Sequence, residues 1–185
     1  TGTPVANRLA RDADVVIGVG TRYSDFTTAS RTQFGNPDVR FVNLNVTGFD
    51  SAKHAAIAVV TDARAGLEAL TEALAGWRVD RPYVAAYQEH VTAWNAEVER
   101  AFHLGHEPLP AQTEVLGALH DVLDPSDVIV QPARSLPGDL QLLWRAADPN
   151  AYNLEHAHSC MGSEIARGPG TQIRHPGPGL RVLVG

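Results

Sequence analysis

The sequence predicts an α/β protein with parallel sheets, because three apolar runs are separated by helical patterns. VVIGVG at 15–20 is continuously apolar and ends on glycine, which is typical of a buried parallel strand that opens into a loop. RFVNLNV at 40–46 and AIAVVTD at 56–62 repeat the strand signal. Leucines at helical spacing follow within 63–77. Strands and helices therefore alternate as they do in Rossmann-like layers.

A helix is predicted before the first of these strands. Thr3 can cap its N-terminus, and Pro4 suits its first turn because a backbone N–H there has no partner within the helix. The stretch GNPD at 35–38 predicts a turn before the second strand.

Residues 78–110 differ from this layered pattern. An aromatic helix is predicted over 83–102, and the following HLGHEPLPAQ has the glycine and prolines of a connection. Beyond it, a second α/β pattern consists of a helix over 113–123, the strand DVIVQP, a helix from SLPGDL, extended NAYNLEHAH, a helix start at CMGSEIARG and the strand GLRVLVG. We therefore predict two parts joined by a helical linker.

Composition limits the possible functions. Apolar residues make up 44% of the 185 residues, as expected for a folded protein, and the formal net charge is −6. Nucleic acids and anionic membranes attract clustered Lys and Arg, so we expect neither as a partner. A single cysteine, Cys160, fits a reducing compartment, and no apolar run approaches the roughly 18 residues of a membrane helix. We expect a cytoplasmic protein.

Gly18 and Gly20 at the end of the first strand are the clearest hint of nucleotide binding. They match two glycines of the dinucleotide fingerprint, but its third glycine would fall at Tyr23. A stand-alone nucleotide-binding module is one hypothesis. An ordinary strand-to-loop turn is the simpler interpretation.

Two predicted helix starts follow strands in the second part. Ser135 begins a helix after DVIVQ, and a second helix begins near 159–162. Free backbone N–H groups at such starts suit phosphate, which favours a pocket for a phosphorylated cofactor. Plain N-caps are the alternative. His156, His158 and Cys160 alternate at strand spacing, but a second cysteine is lacking, so we expect no metal site.

Several stretches together resemble one family, the thiamine-diphosphate-dependent trihydroxycyclohexane-1,2-dione hydrolases of myo-inositol catabolism. They are ANRLARDADVVIGVGTRYSDFTTASRTQF, PDVRFVNLNV, FDSAKH, SLPGDLQLLWR and SCMGSEIA, and they cover most of the chain. TRYSDFTTAS and SLPGDL followed by SCMG are the specific ones. Acetolactate synthases share a looser version of the pattern and provide an alternative.

The resemblance implies two incomplete domains of a thiamine-diphosphate enzyme. Residues 1–77 would be the C-terminal half of the central Rossmann-like domain, 78–110 a helical linker, and 111–185 the N-terminal half of the diphosphate-binding domain. Gly185 would be the first glycine of the family's Gly-Asp-Gly motif. We therefore expect a fragment that lacks the magnesium ligands and the activating Glu, with no catalytic or metal-binding residue of its own.

The resemblance also supplies the candidate cofactor-binding residues. Ser135, Leu136, Pro137 and Gly138 would approach the diphosphate of the cofactor. In the SCMG stretch, Met161 and Gly162 would approach the pyrimidine of the cofactor. Thiamine diphosphate and magnesium are the implied cofactors of the parent enzyme, and this chain alone is expected to bind neither.

Two single positions and one five-residue stretch depart from the family pattern. Arg134 replaces an expected Gly, His158 replaces an aromatic residue, and Ala166-Arg167-Gly168-Pro169-Gly170 replaces AGGLG. Pro169 removes a backbone donor and disfavours a helical residue before it, so we expect the helix to be disturbed at Gly168.

The implied parent activity is hydrolytic cleavage of a carbon–carbon bond that opens a cyclic polyhydroxy-dione. Its partner would be that small-molecule substrate, and the enzyme would be a homo-oligomer. Because the catalytic Glu and the metal ligands are expected elsewhere, this chain alone is predicted to be inactive. A noncatalytic remnant that associates with itself is a further hypothesis.

Overall fold

The computed structural model describes residues 2–131, 135–154, 160–174, 176–177 and 179–182, with side chains from 138 onward in the second of these ranges. The chain divides into two compact units, Thr1–Thr92 and Ala93–Gly185. Each unit has its own three-stranded parallel sheet, which confirms the predicted α/β class.

Unit 1 contains helices and strands in the predicted order. They are α1 (Pro4–Asp12), β1 (Val15–Val19), α2 (Asp25–Thr28), β2 (Arg40–Asn45), α3 (Gly48–Ser51), a 3-10 turn (Lys53–Ala55), β3 (Ile57–Val60) and α4 (Ala63–Ala73). The sheet order is β1-β2-β3. Thr3 caps α1 by accepting a hydrogen bond from the Ala6 N–H at 3.1 Å, as the sequence predicted.

The helix α5 (Arg81–Phe102) crosses the division between the units. The elements that follow in unit 2 are α6 (Gln112–Val122), β4 (Val128–Gln131), α7 (Ser135–Leu143), β5 (Tyr152–Leu154), α8 (Ser163–Arg174) and β6 (Leu180–Val182). The central strand is β4, in the order β5-β4-β6. Among the described helices, none is both long and apolar enough to cross a membrane.

The main apolar core lies in unit 2, between the end of α5 and helices α6 and α7. Its buried residues are Val98, Phe102, Leu116, Leu140 and Leu143. A Cβ added at Gly117 would lie 2.6 Å from the Cβ and 3.2 Å from the Cα of Phe102. Only glycine therefore allows α5 and α6 to approach this closely.

Two predictions about local structure are wrong. The first strand is parallel but not fully buried, because Val15 and Ile17 are 54% and 48% exposed. The helix is also not disturbed at Gly168, since α8 continues through Pro169 to Arg174. The residue before a proline is restricted partly through its Cβ, and Gly168 has none. Pro169 itself faces solvent.

Candidate functional site

The candidate cofactor residues lie at the carboxyl edge of the unit 2 sheet. In a parallel sheet, a helix that follows a strand begins at that strand's carboxyl end, which is where open α/β sheets bind ligands. The helix α7 follows β4 and starts at Ser135, and α8 follows β5 and starts at Ser163. Both helix starts therefore belong to the same edge.

The structure describes the backbone of all four candidates on α7, but the side-chain positions of only some of them. Ser135, Leu136 and Pro137 form the first turn of α7, and their side chains lie outside the described part. Gly138 is exposed, and a Cβ built there meets nothing within 4 Å. A ligand that approaches α7 at this residue would meet backbone rather than a side chain.

Met161 and Gly162 form the turn directly before α8. The Met161 side chain is 68% exposed, and Gly162 has a φ of +86°, a conformation that L side chains rarely adopt. The glycine is therefore required by the backbone of this turn. Arg134, His156 and His158, which the sequence also raised, fall outside the described residues.

Gln131 is a site residue that sequence reasoning missed. It ends β4, is fully buried, and donates from Nε2 to the Tyr152 hydroxyl on β5. Burial raises the pKa of Tyr152 to about 12, and the hydrogen bond from Gln131 opposes this rise. The Gln131 Oε1 atom is buried and has no hydrogen-bond partner among the described residues. A polar residue that closes an apolar strand, VIVQ, was the available signal.

Two further unsatisfied polar atoms occur at the start of α8. Ser163 Oγ and Glu164 Oε2 are buried and lack hydrogen-bond partners within the described ranges, and Glu164 as a whole is only 5% exposed. Buried polar groups are nearly always hydrogen-bonded, so unpaired acceptors at a strand's carboxyl end suit a ligand that brings N–H donors. An aminopyrimidine brings such donors, and the open backbone at Gly138 and Gly162 leaves space for a ligand, so the residues present fit the implied cofactor.

In unit 1, the corresponding sheet edge is built around Asn43 of β2. The Asn43 Nδ2 donates to the carbonyl oxygens of Ser51 at 3.1 Å and Lys53 at 3.0 Å, and its Oδ1 accepts from the Tyr23 hydroxyl at 2.5 Å. The TRYSDF, RFVNLNV and FDSAKH stretches therefore meet at one buried amide. The sequence did not single out Asn43, although an asparagine inside an apolar strand was a usable signal.

An aromatic cluster surrounds this amide. Tyr23, Phe34, Phe41 and His54 pack with ring centroids between 4.6 and 6.4 Å apart, and the imidazole stacks on Phe41. Burial, followed by the charges of Arg31 and Lys53, lowers the pKa of His54. The neutral ring is therefore favoured.

Gly18 has a packing role in the same unit. A Cβ on it would collide with the Tyr23 hydroxyl and would lie 2.9 Å from the Asn43 Oδ1. The helix after β1, α2, has only four residues, so the long fingerprint helix is missing at this place. Gly18 is thus explained without a nucleotide.

Several known proteins are similar in sequence to this chain. The model of the thiamine pyrophosphate enzyme central domain matches residues 1–70. A 3D-(3,5/4)-trihydroxycyclohexane-1,2-dione hydrolase from Geobacillus thermodenitrificans is 39% identical over an alignment that covers all of this chain and 32% of that protein. The chain is similar to thiamine pyrophosphate enzymes, over residues 1–70 for the family model and over its whole length for this hydrolase. Proteins with the same name from Bacillus cereus strain AH820 and Bacillus thuringiensis are 36% and 34% identical, with the same coverage.

The alignments show how much of the related hydrolases this chain corresponds to. It spans 32% of the length of these relatives, while every part of it is included in the match. The family resemblance read from TRYSDFTTAS, SLPGDL and SCMG is confirmed, together with the parallel α/β fold. Metal binding finds no support in the described residues, where no group of three or more His, Cys, Asp or Glu could hold an ion.

Proposed function

We propose that this chain is part of a thiamine-diphosphate-dependent hydrolase that opens the ring of trihydroxycyclohexane-1,2-dione in inositol degradation. The observation that carries the proposal is the 34–39% identity, over the whole chain, to proteins named for that reaction. The parent enzyme would act in the cytoplasm as a homo-oligomer, with neither nucleic acid nor membrane as a partner. The net charge of −6 supports the last two statements.

The cofactor would be held at the carboxyl edge of the unit 2 sheet. Ser135, Leu136, Pro137 and Gly138 would approach the diphosphate through the first turn of α7, where free N–H groups favour an anion. In this proposal Met161 and Gly162 approach the pyrimidine. The open space above Gly138 and Gly162 supports both assignments, because no side chain of those residues obstructs the backbone.

Gln131 and Glu164 would complete the polar environment of the cofactor. Their unpaired oxygens can accept hydrogen bonds from the amino group of the pyrimidine ring. When bound, thiamine diphosphate supplies an electron sink beside the carbon–carbon bond that breaks. The residues of this chain would bind and orient it, and magnesium would anchor its diphosphate through ligands outside these 185 residues.

The proposed domain assignment follows the family. Residues 1–77 would belong to the central domain, 78–110 would form the helical linker, and 111–185 would belong to the diphosphate-binding domain. The match of the central-domain model to residues 1–70 supports the first assignment.

A chimera tests the proposed activity. We would replace the matching third of the Geobacillus thermodenitrificans hydrolase with this chain, add thiamine diphosphate and magnesium, and assay cleavage of the dione. Ring opening is the expected result, and the 185-residue chain assayed alone should give none. A folded chimera that binds the cofactor but leaves the dione intact would contradict the proposal. Turnover of pyruvate instead would support the acetolactate-synthase-like alternative.

A substitution at Gly138 tests the site. Gly138→Ala adds a methyl group where the fold has space, and alanine is the better helix former, so the chimera should remain at least as stable. Its affinity for thiamine diphosphate, measured by calorimetry, should fall at least tenfold. Gly48→Ala is the matched control, because the nearest atom to its Cβ is 4.0 Å away in unit 1. Unchanged affinity in Gly138→Ala would remove this residue from the site.

A further inference from the structure

A polar cleft of about 380 Å³ lies beside β5 in unit 2. The turn before β5 and the strand itself contribute Asn150, Tyr152 and Asn153 to its lining, and the last two turns of α8 contribute Arg167, Thr171 and Arg174. Its volume falls in the range of small-molecule sites. The cleft lies along the last two turns of α8, whereas Met161 and Gly162 precede its first turn. Tyr152 connects the two places, because it lines the cleft and its hydroxyl accepts a hydrogen bond from Gln131.

Helical geometry directs the two arginines into the cleft. Arg167, Thr171 and Arg174 are spaced i, i+4 and i+7, so they share one face of α8. The two arginines are about 10 Å apart along the helix axis at 1.5 Å per residue. Their long side chains can converge on one ligand or hold two anionic groups of the same ligand.

The charge of this cleft is not balanced. In the ranges that the structure describes, neither Arg167 nor Arg174 forms an ion pair, whereas Arg100, Arg145 and Arg181 each pair with a carboxylate. Among the described residues that line it, none is Asp or Glu. The Asp148 carboxylate lies next to the lining and accepts a hydrogen bond from the Asn150 N–H at 2.7 Å.

A structural role explains one of the two arginines. Arg174 is in the last turn of α8, where a cation interacts favourably with the helix dipole. Arg167 is in the middle of the helix and gains nothing from the dipole. The family pattern has glycine at this position, so its guanidinium is not part of the cofactor site that the resemblance implies.

We propose that this cleft binds a small phosphorylated molecule through Arg167 and Arg174, with Thr171, Asn150 and Asn153 as additional donors. Guanidinium groups match phosphate oxygens with two parallel hydrogen bonds, and hydroxyl and amide groups supply further ones. The site goes beyond the proposed hydrolase function and does not depend on it. Its ligand would be recognised by charge and hydrogen bonding at a place removed from the ring-opening chemistry.

The test is titration of the ¹⁵N-labelled full chain with inorganic phosphate, followed by NMR. We expect saturable shifts of the Arg167 Nε–H, the Thr171 amide and the side-chain amides of Asn150 and Asn153, at millimolar phosphate. Sodium chloride at equal ionic strength should not reproduce them. Shifts that grow without saturation, or that chloride reproduces, would show that the arginines are solvated helix charges and would overturn the proposal.

Variants separate a built site from general charge attraction. The double variant Arg167→Gln/Arg174→Gln should weaken phosphate binding at least tenfold. The matched control Arg64→Gln/Arg81→Gln removes the same charge from exposed positions in unit 1 and should change affinity less than twofold. Thr171→Val keeps both charges and is expected to weaken binding two- to fivefold. Equal losses in the cleft and control variants would contradict the proposal, and circular dichroism verifies that each variant is folded.

Discussion

The Tyr23 hydroxyl lies so close to Gly18 that a Cβ at residue 18 would collide with it. The same hydroxyl donates a hydrogen bond to the Asn43 Oδ1 at 2.5 Å, so it cannot move away without losing that bond. One glycine, one tyrosine and one asparagine thus fix the loop after β1 against β2.

Gly18→Ala should therefore destabilise unit 1 by about 1–3 kcal/mol, the usual cost of overpacking. In a Tyr23→Ala background the space is open, and the same substitution should cost much less. A double-mutant cycle measured by urea unfolding gives this coupling. Additive losses would mean that the tyrosine does not enforce glycine at residue 18.

Asn43→Ala should destabilise the protein by about 2–4 kcal/mol, because buried hydrogen-bonding groups lose their partner. The groups affected are the carbonyls of Ser51 and Lys53 and the Tyr23 hydroxyl. Urea unfolding measures the loss. Asn7→Ala is the matched control, since its side chain makes one long hydrogen bond of 3.4 Å at the surface. A loss no larger than that of the control would contradict the proposed importance of Asn43.

Glu114→Gln should lower thermal stability near neutral pH. The Glu114 carboxylate accepts hydrogen bonds from the N–H groups of Ala111 at 2.8 Å, Gly105 at 2.6 Å and His106 at 3.3 Å. The bond from Ala111 first, then those from Gly105 and His106, hold the pKa of Glu114 below its ordinary value of 4.5. A lowered pKa stabilises the fold above pH 4.5, and this contribution is lost as the pH falls through the folded-state pKa.

The melting temperatures of wild type and Glu114→Gln should consequently converge in acid. Glu72→Gln, on the exposed side of α4, is the control and should give a difference that is small at every pH. A gap between wild type and Glu114→Gln that stays constant down to pH 3 would show that the carboxylate charge is not responsible.

Tyr152 should titrate well above an ordinary phenol. Burial raises its pKa to about 12 from 10.0. Because the fold favours the neutral phenol, Tyr152 makes its full contribution to the free energy of unfolding below pH 10. This contribution declines as the pH rises towards 12. Rapid pH-jump absorbance spectroscopy should show a late tyrosinate signal that Tyr152→Phe removes. A signal complete by pH 10.5 would contradict this burial. Tyr83→Phe, at an exposed position on α5, is the comparison variant.

Local patterns predicted much of the fold. Continuous apolar runs identified β1, β2 and β3, and Thr3-Pro4 located the start of α1, because these signals depend on neighbouring residues alone. The exposure of Val15 and Ile17 could not be predicted, since burial depends on which element covers a sheet face. The persistence of α8 through Pro169 depends on a glycine before it, a combination that a rule about single residues misses.

The candidate site was predicted less completely. SLPGDL and SCMG located two helix starts, but Gln131 and Glu164 became visible only when the structure showed their buried, unpaired oxygens. Hydrogen-bond satisfaction is a three-dimensional property, so no spacing in the sequence reports it. The cleft beside β5 is a similar case, because strand and helix residues line it together.

Asn43 also determines how β2 aligns with its neighbours. Residues on a strand alternate between faces, so Phe41 and Asn43 face one side of the sheet, while Val42 and Leu44 face the other with Ile17 and Ile57. A slip of one residue during folding would turn the amide towards α4, where Gly66 packs on Leu44, and would leave it without partners. The buried amide of Asn43 therefore penalises misaligned pairings of this sheet.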